Sequence, residues 1–213
     1  MYKYIIFDFN GTLLDDVSIS LDALNYCLHK YVDKNKTISL NSYLDEFSFP
    51  VGDYYKKIGF DFNKINYDEV ANDFIGYYDE RFKDNKLYPN VIKTLKRLKD
   101  GGYSLIILTA SYIKLIEKQL EFYGIKNYFD DVLAQENKYA LSKTQIMLNY
   151  LKDHNINPNS CIYLGDTSHD IEVAKQCNIK VISFYKGHNS YNKLKKDNDL
   201  LVDDIYEIFN FLN

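Results

Sequence analysis

The chain predicts an α/β fold: a Rossmann-like parallel sheet with an all-helical segment inserted into it. Three observations predict this. From residue 86 onward, short apolar runs alternate with amphipathic stretches of helical length, the rhythm of strands joined by right-handed crossovers. An apolar strand at residues 5–8 precedes that series and stands apart from it. Residues 16–85, between the two, carry helical patterns and no strand pattern.

The elements follow in order. Ile5-Ile-Phe ends abruptly in Asp8-Phe-Asn-Gly-Thr12, so a buried strand delivers a carboxylate to the carboxyl end of the sheet, and Gly11 permits a tight turn there. Helices are predicted at roughly 17–32, 39–47, 51–58 and 68–83. Inserted just past the first strand, they lie over the strand ends as a lid. Residues 90–100 set Val91, Leu95 and Leu98 on one helical face, and Gly101-Gly102 stops that helix. A strand at 104–108 ends in Thr109-Ala110-Ser111, and a helix at 112–123 closes at Gly124. A weaker strand at 131–134, a helix at 142–154, a strand at 161–164 ending in Gly165-Asp166, a helix at 168–177, a strand at 180–184 and a terminal helix at 203–212 complete the series. The domain boundaries this implies are a core of 1–14 and 86–213, with a helical cap of 15–85.

Composition narrows the function classes. The 213 residues are 46% apolar, enough for a sizeable core, and the net charge of -4 argues against nucleic acid and anionic membranes as partners. No run approaches the ~18 apolar residues of a membrane span, and no signal segment is seen at the N-terminus. Cys27, Cys161 and Cys177 are scattered without a CxxC pair, which predicts a reduced, cytoplasmic protein; a monomer or weak homodimer is expected. The 21 Tyr, with no Trp and only three Pro, are spread along the chain, which predicts compositional drift rather than an aromatic ligand cage.

Four polar signals fall at strand ends: Asp8 to Thr12, Thr109 to Ser111, Lys143, and Gly165-Asp166-Thr-Ser-His-Asp170. In a parallel sheet all four converge on one crevice. Their chemistry is coherent. Asp8 is a carboxylate nucleophile for phosphorus. Asp8, Asp166 and Asp170, with a backbone carbonyl, are suited to Mg²⁺. Lys143 neutralises further charge, while Thr109 and local amides, Ala110 among them, donate to phosphoryl oxygens.

These residues resemble the motifs of the haloacid dehalogenase superfamily, most of whose members are phosphohydrolases. Asp8-Phe9-Asn10-Gly11-Thr12 is similar to the first motif, Thr109 in Ile106-Ile-Leu-Thr-Ala-Ser111 to the second, Lys143 (with Lys138 a rival) to the third, and Gly165 to Asp170 to the fourth. The insertion at 16–85 resembles the helical cap of the phosphoglycolate phosphatase-like branch. The resemblance implies that Asp8 is the nucleophile, that Asp166 ligates Mg²⁺ directly and Asp170 directly or through water, and that the Asn10 carbonyl is a further ligand. It also implies that Thr109 and Lys143 bind the phosphoryl group, that Gly11 and Thr12 supply amides and shape the turn, and that the substrate is a small phosphorylated metabolite.

One departure stands out. The family's phosphatases carry at position 10 an Asp that exchanges a proton with the leaving oxygen, and Asn10 cannot do so. Stand-ins from the sequence are His169, Lys56 or Lys57 of the cap, and Asp15 or Asp16, whose plainer role is to cap the first cap helix. A phosphonate hydrolase or phosphotransferase, which needs no acid at position 10, and a phosphate-binding regulatory module with weak turnover are the alternatives. His29, His154 and His188 receive no role.

Overall fold

In the computed structural model, which describes residues 2–135 and 142–212, Ile5, Ile6 and Phe7 are fully buried. They form β1 (Tyr4–Phe7), which has strands on both edges and helices on both faces. A two-residue strand, β2 (Leu14–Asp15), leads into four helices, α1 (Val17–Tyr31), α2 (Leu40–Glu46), α3 (Val51–Lys57) and α4 (Tyr67–Arg81), and the chain returns through β3 (Lys86–Leu87). The remainder alternates: α5 (Val91–Asp100), β4 (Ser104–Tyr112), α6 (Ile113–Phe122), β5 (Asp131–Gln135), α7 (Lys143–Asp153), β6 (Cys161–Gly165), α8 (Ser168–Gln176), β7 (Lys180–Phe184), the short α9 (Tyr191–Leu194) and β8 (Leu201–Val202).

The main sheet has the order β5-β4-β1-β6-β7-β8 and every neighbouring pair is parallel. Phe7 lies in register with Ile107 on one side and Leu164 on the other. The chain winds outward from β1 first through β4 and β5, then through β6 to β8, so the order reverses at β1. In such sheets the crevice for ligands opens at that reversal, beyond the carboxyl ends of the strands. Side chains alternate between the faces. Ile5 and Phe7 join Leu95 and Leu98 of α5 and Ile116 and Leu120 of α6, while Ile6 joins Met147 and Leu151 of α7 and Ile171 of α8.

The four inserted helices have an apolar cluster of their own, including Leu24 and Leu28 of α1, Tyr54 and Tyr55 of α3, and Val70 of α4. Entry and exit are laced together by the antiparallel pairs Leu14↔Leu87 and Asp15↔Lys86. A second seam lies beyond β7, where Ser190 N donates to Leu44 O at 3.0 Å and Asn189 Nδ2 to Phe47 O at 3.0 Å.

The structure departs from the sequence-based expectations in three places. The terminal helix expected at 203–212 is a 3₁₀ helix, Ile205–Phe211, entered through a capping box of Asp204 and Glu207. The strands β2, β3 and β8 are two residues long, too short for any periodicity to announce them. The strand expected to stop at 108 runs on to Tyr112, so Thr109 and Ser111 lie within β4, and the N-cap residue of α6 is Tyr112. Among the described residues no helix is long and apolar enough to cross a membrane, and all three cysteines are buried and free.

Candidate active site

Asp8 is the first residue beyond β1, anchored by its N–H to Leu164 O at 2.9 Å. Its carboxylate Oδ1 lies 2.9 Å from Lys143 Nζ, which also reaches Asp170 Oδ1 at 2.8 Å and Tyr163 OH at 3.3 Å. Lys143 opens α7, a position from which a lysine normally reaches water, yet it is only 3% exposed. Two carboxylates hold that ammonium inside. Lys138, its rival, falls outside the described residues.

Asp166 and Asp170 follow β6. Asp166 accepts from Thr12 Oγ1 at 2.8 Å through Oδ1 and from His188 N at 2.6 Å through Oδ2. Asp170 Oδ1 accepts from Lys143 and, at 2.6 Å, from Tyr163 OH. Its Oδ2 accepts from Thr167 N at 2.9 Å and Thr167 Oγ1 at 2.6 Å, the capping box of α8. Gly11 makes this convergence possible. Its φ is +73°, and a Cβ there would fall 2.2 Å from Asp166 Oδ2 and 2.4 Å from His188 Cδ2.

Oxygens of Asp8, Asp166 and Asp170 all lie within 4.8 Å of one another. Burial, with Asp170 and Asp166 adding to it, raises Asp8 well above the ordinary carboxylate value, against the pull of Lys143. Burial likewise pushes Asp166 up to about 6. Asp170 is held down at about 2, because Lys143, Thr167 and Tyr163 outweigh its burial. One lysine does not offset three buried acids, and an all-oxygen donor set of this kind suits a hard divalent cation.

A second network surrounds Asn10. Its Nδ2 donates to Asp16 Oδ2 at 2.7 Å and to Tyr78 OH at 2.9 Å, and its Oδ1 accepts from Ser111 Oγ at 2.9 Å. Asp16 Oδ2 also accepts from Tyr78 OH at 2.6 Å, while Oδ1 accepts from Gly11 N at 2.8 Å and lies 3.2 Å from His188 Nε2. Tyr43 OH meets His188 Nδ1 at 2.9 Å. Burial alone would lower His188, but the Asp16 carboxylate beside it wins and raises it to about 9. Asp16 ends below its ordinary value for the same reason, its partners outweighing burial.

The structure therefore sorts the stand-ins for the missing acid. Asp16 precedes α1 but makes no side-chain capping bond; its carboxylate is spent on Asn10, Tyr78, Gly11 and His188 instead. Asp15 is exposed on β2. Lys56 and Lys57 form exposed pairs with Asp53 and Glu46 and do not border the cavity. His169 stacks on Phe49 and pairs with Glu172 at 3.5 Å, also off the cavity wall. His188, given no role from sequence, is central. Its signal in the sequence is the position of Gly187-His188 in the loop beyond β7, with two residues between them and the end of that strand, at the same edge of the sheet as Asp8 and Asp166. Tyr78, distant in sequence and mid-helix, carried no such signal.

Above these groups a cavity of about 810 Å³ separates the strand ends from the cap helices. Asp8, Asn10, Thr109, Ala110, Ser111, Lys143 and His188 border its floor. Tyr43, Phe47, Phe49, Tyr54, Tyr55 and Phe74 border its cap side. The expectation of no aromatic cluster is thus corrected: five of these six rings fall within residues 43–55, and they gather in space because several successive cap elements turn one face to the same cavity.

The sequence profile of the haloacid dehalogenase-like hydrolases matches residues 5–184. The chain belongs to that family. Phosphoglycolate phosphatases align along nearly its whole length: that of Vibrio vulnificus (strain YJ016) is 27% identical over 221 residues, covering 97% of this chain and 94% of the relative. That of Haemophilus influenzae (strain 86-028NP) is 27% identical over 236 residues, covering 99% and 98%. Family and relatives make the chain a phosphatase, a phosphoric monoester hydrolase. Solved structures share its fold. A haloacid dehalogenase-like family protein from Streptococcus pneumoniae superposes with a TM-score of 0.84 at 20% identity, covering 100% of this chain and 99% of that one. CbbY from Rhodobacter sphaeroides, in complex with phosphate, gives 0.74 at 15% identity, covering 98% and 96%.

Proposed function

We propose that this phosphatase hydrolyses a phosphate monoester with Mg²⁺ through an aspartyl-phosphate on Asp8. One observation carries the reading: Asp8, Asp166 and Asp170 converge within 4.8 Å beyond β1, with Lys143 bridging two of them. The donors that would hold the ion are Asp8, Asp166 and the Asn10 carbonyl. Asp170 would ligate directly or through water by exchanging one of the four hydrogen bonds that it accepts from Lys143, Tyr163 and Thr167. When bound, Mg²⁺ supplies charge for the phosphoryl oxygens and keeps Asp8 ionised.

The chain's own groups do the rest. Asp8 attacks phosphorus as the P–O bond to the alcohol breaks, and the alcohol oxygen takes up a proton. Water then attacks the aspartyl-phosphate, losing a proton and releasing inorganic phosphate with a free Asp8. Lys143, Thr109 and the amides of Gly11, Thr12 and Ala110 stabilise the transferring group. Asp16 is the stand-in that geometry favours at position 10, because it is hydrogen-bonded to Asn10 and borders the cavity; held ionised, it would take the proton of the attacking water, while the proton for the alcohol oxygen would come from the network around it, in which His188 is the protonated member. We infer that residues 15–85 form the cap and that 1–14 with 86–213 form the core, the cap closing to exclude water.

The test is phosphate release from a panel of monoesters with Mg²⁺ or with EDTA, for the wild type and Asp8→Asn. Release is expected only with Mg²⁺ and only with Asp8 intact. Turnover by a folded Asp8→Asn protein would overturn the nucleophile assignment.

A further inference from the structure

The alcohol side of the cavity is unlike its phosphate side. Among the described residues, the only cationic side chains on its wall are Lys143 and His188, and both belong to the floor. Both are also committed, Lys143 to Asp8 and Asp170, and His188 to Asp16. No described lysine or arginine of the cap borders the cavity. Arg81 of α4 lies over the Tyr77 ring and donates to Glu80 instead. A carboxylate on the substrate, such as that of phosphoglycolate, would therefore meet no free counter-charge among the described residues of the wall, and an unpaired ion against its rings is costly.

What the cap does offer is ring surface. Phe47 stands edge-on to Tyr54 with centroids 5.4 Å apart and stacks on Tyr43 at 5.1 Å, so the wall is a packed aromatic lattice rather than isolated rings. Val51, Ile75 and Leu115 extend it. At about 810 Å³ the space falls within the ~300–1,000 Å³ typical of sites for drug-sized ligands. A two-carbon ester would leave most of it unfilled.

Resting on the phosphatase reading above, we infer that the site selects phosphate monoesters of an uncharged, ring-bearing, largely apolar alcohol and discriminates against small esters with a second anionic group. The phosphate is recognised by the floor and the alcohol by the aromatic wall, with apolar contact rather than charge setting specificity.

The experiment compares esters of aliphatic alcohols, so that leaving-group acidity stays nearly constant: ethyl phosphate, 2-phenylethyl phosphate, 2-(1-naphthyl)ethyl phosphate and phosphoglycolate, each with Mg²⁺ and the full chain. Burying one phenyl ring should raise kcat/KM for 2-phenylethyl over ethyl phosphate by roughly 10- to 100-fold. The naphthyl ester should do at least as well, and phosphoglycolate should be no better than ethyl phosphate. Equal or better turnover of phosphoglycolate or ethyl phosphate than of 2-phenylethyl phosphate overturns the inference while leaving the phosphatase reading standing. Should none release phosphate, the phosphatase reading falls. Calorimetric binding of the same esters then decides the inference alone, tighter binding of the aryl-bearing ones supporting it and equal binding overturning it. As a second variant, Ile75→Lys alters a half-exposed wall residue and so tolerates charge in the fold. It should lower the preference for 2-phenylethyl phosphate over phosphoglycolate by about 10-fold or more, and an unchanged preference would count against the wall as the specificity element.

Discussion

Replacing Asn10 with Asp would put a second carboxylate where the amide now donates to Asp16 across 2.7 Å. Two negative charges at that separation repel by about 6 kcal/mol even at an effective dielectric constant of ~20. That exceeds what the protein would tolerate, so the introduced carboxyl and Asp16 would hold one proton between them and keep it beyond neutral pH. The variant would then own a protonated carboxyl at the place from which the family's acid works. General acid catalysis is typically worth ~10²–10⁴-fold, and the gain should fall on esters with poor leaving groups. The assay is kcat with Mg²⁺ for wild type and Asn10→Asp on 2-phenylethyl phosphate and on 4-nitrophenyl phosphate, with folding followed by circular dichroism. A rise confined to the alkyl ester is expected. A folded variant with the same alkyl-to-aryl ratio as the wild type would refute the reasoning and mean that the Asp16 network already supplies the proton in full.

Four further expectations follow from the same geometry. Asp16→Asn should destabilise the protein in a pH-dependent way. His188 rises from 6.5 unfolded to about 9 folded, so its pairing stabilises fully below pH ~6.5 and is lost as pH climbs through 9. The corresponding penalty of about 3 kcal/mol in urea unfolding should shrink across that window, and a pH-independent penalty would contradict the pairing. Lys143→Met strands Asp8 and Asp170 as buried acids, which should cost about 3–5 kcal/mol without metal and visibly less with Mg²⁺, as measured by unfolding in either condition. Tyr54 carries a buried hydroxyl with no hydrogen-bond partner among the described residues. Tyr54→Phe should therefore leave stability unchanged or raise it by about 1 kcal/mol, and a loss beyond that in thermal unfolding would reveal a partner. Gly11→Ala should abolish turnover, because the added methyl meets Asp166 and His188 in a left-handed turn; full activity would exclude the close approach described.

Much of this was legible in the chain. Asp8, Thr109 and Asp166 could be found because a parallel sheet sends every strand's carboxyl end to the same edge, so polar residues after apolar runs reveal a crevice. The helical face Val91, Leu95 and Leu98 packs as its period required. What failed to show had no local signature. Asp16 read as a helix cap because capping is decided by local spacing, whereas its actual partners Tyr78 and His188 lie 62 and 172 residues away. The aromatic wall was only partly visible: Tyr43, Phe47, Phe49, Tyr54 and Tyr55 crowd together in the chain, but linear spacing does not say which faces the cap helices turn toward one cavity. The two-residue strands lie below the length at which alternation can register.

The seam at residues 188–190 has a consequence for how the enzyme can evolve. His188 faces Asp16 through one nitrogen and Tyr43 of α2 through the other, while the next two residues fasten to the backbone at Leu44 and Phe47. Tyr78 repeats the pattern from α4, its hydroxyl accepting from Asn10 Nδ2. The bonds that set charge at the reacting centre are thus also the clasp between lid and base. On the cap closure proposed above, a substitution that loosens the clasp to hasten product departure would also retune the proton environment around Asn10, and one that retunes that environment would shift how readily the cap lifts. Speed of opening and chemical competence would then be inherited together, which narrows the single-step routes open to selection at either one.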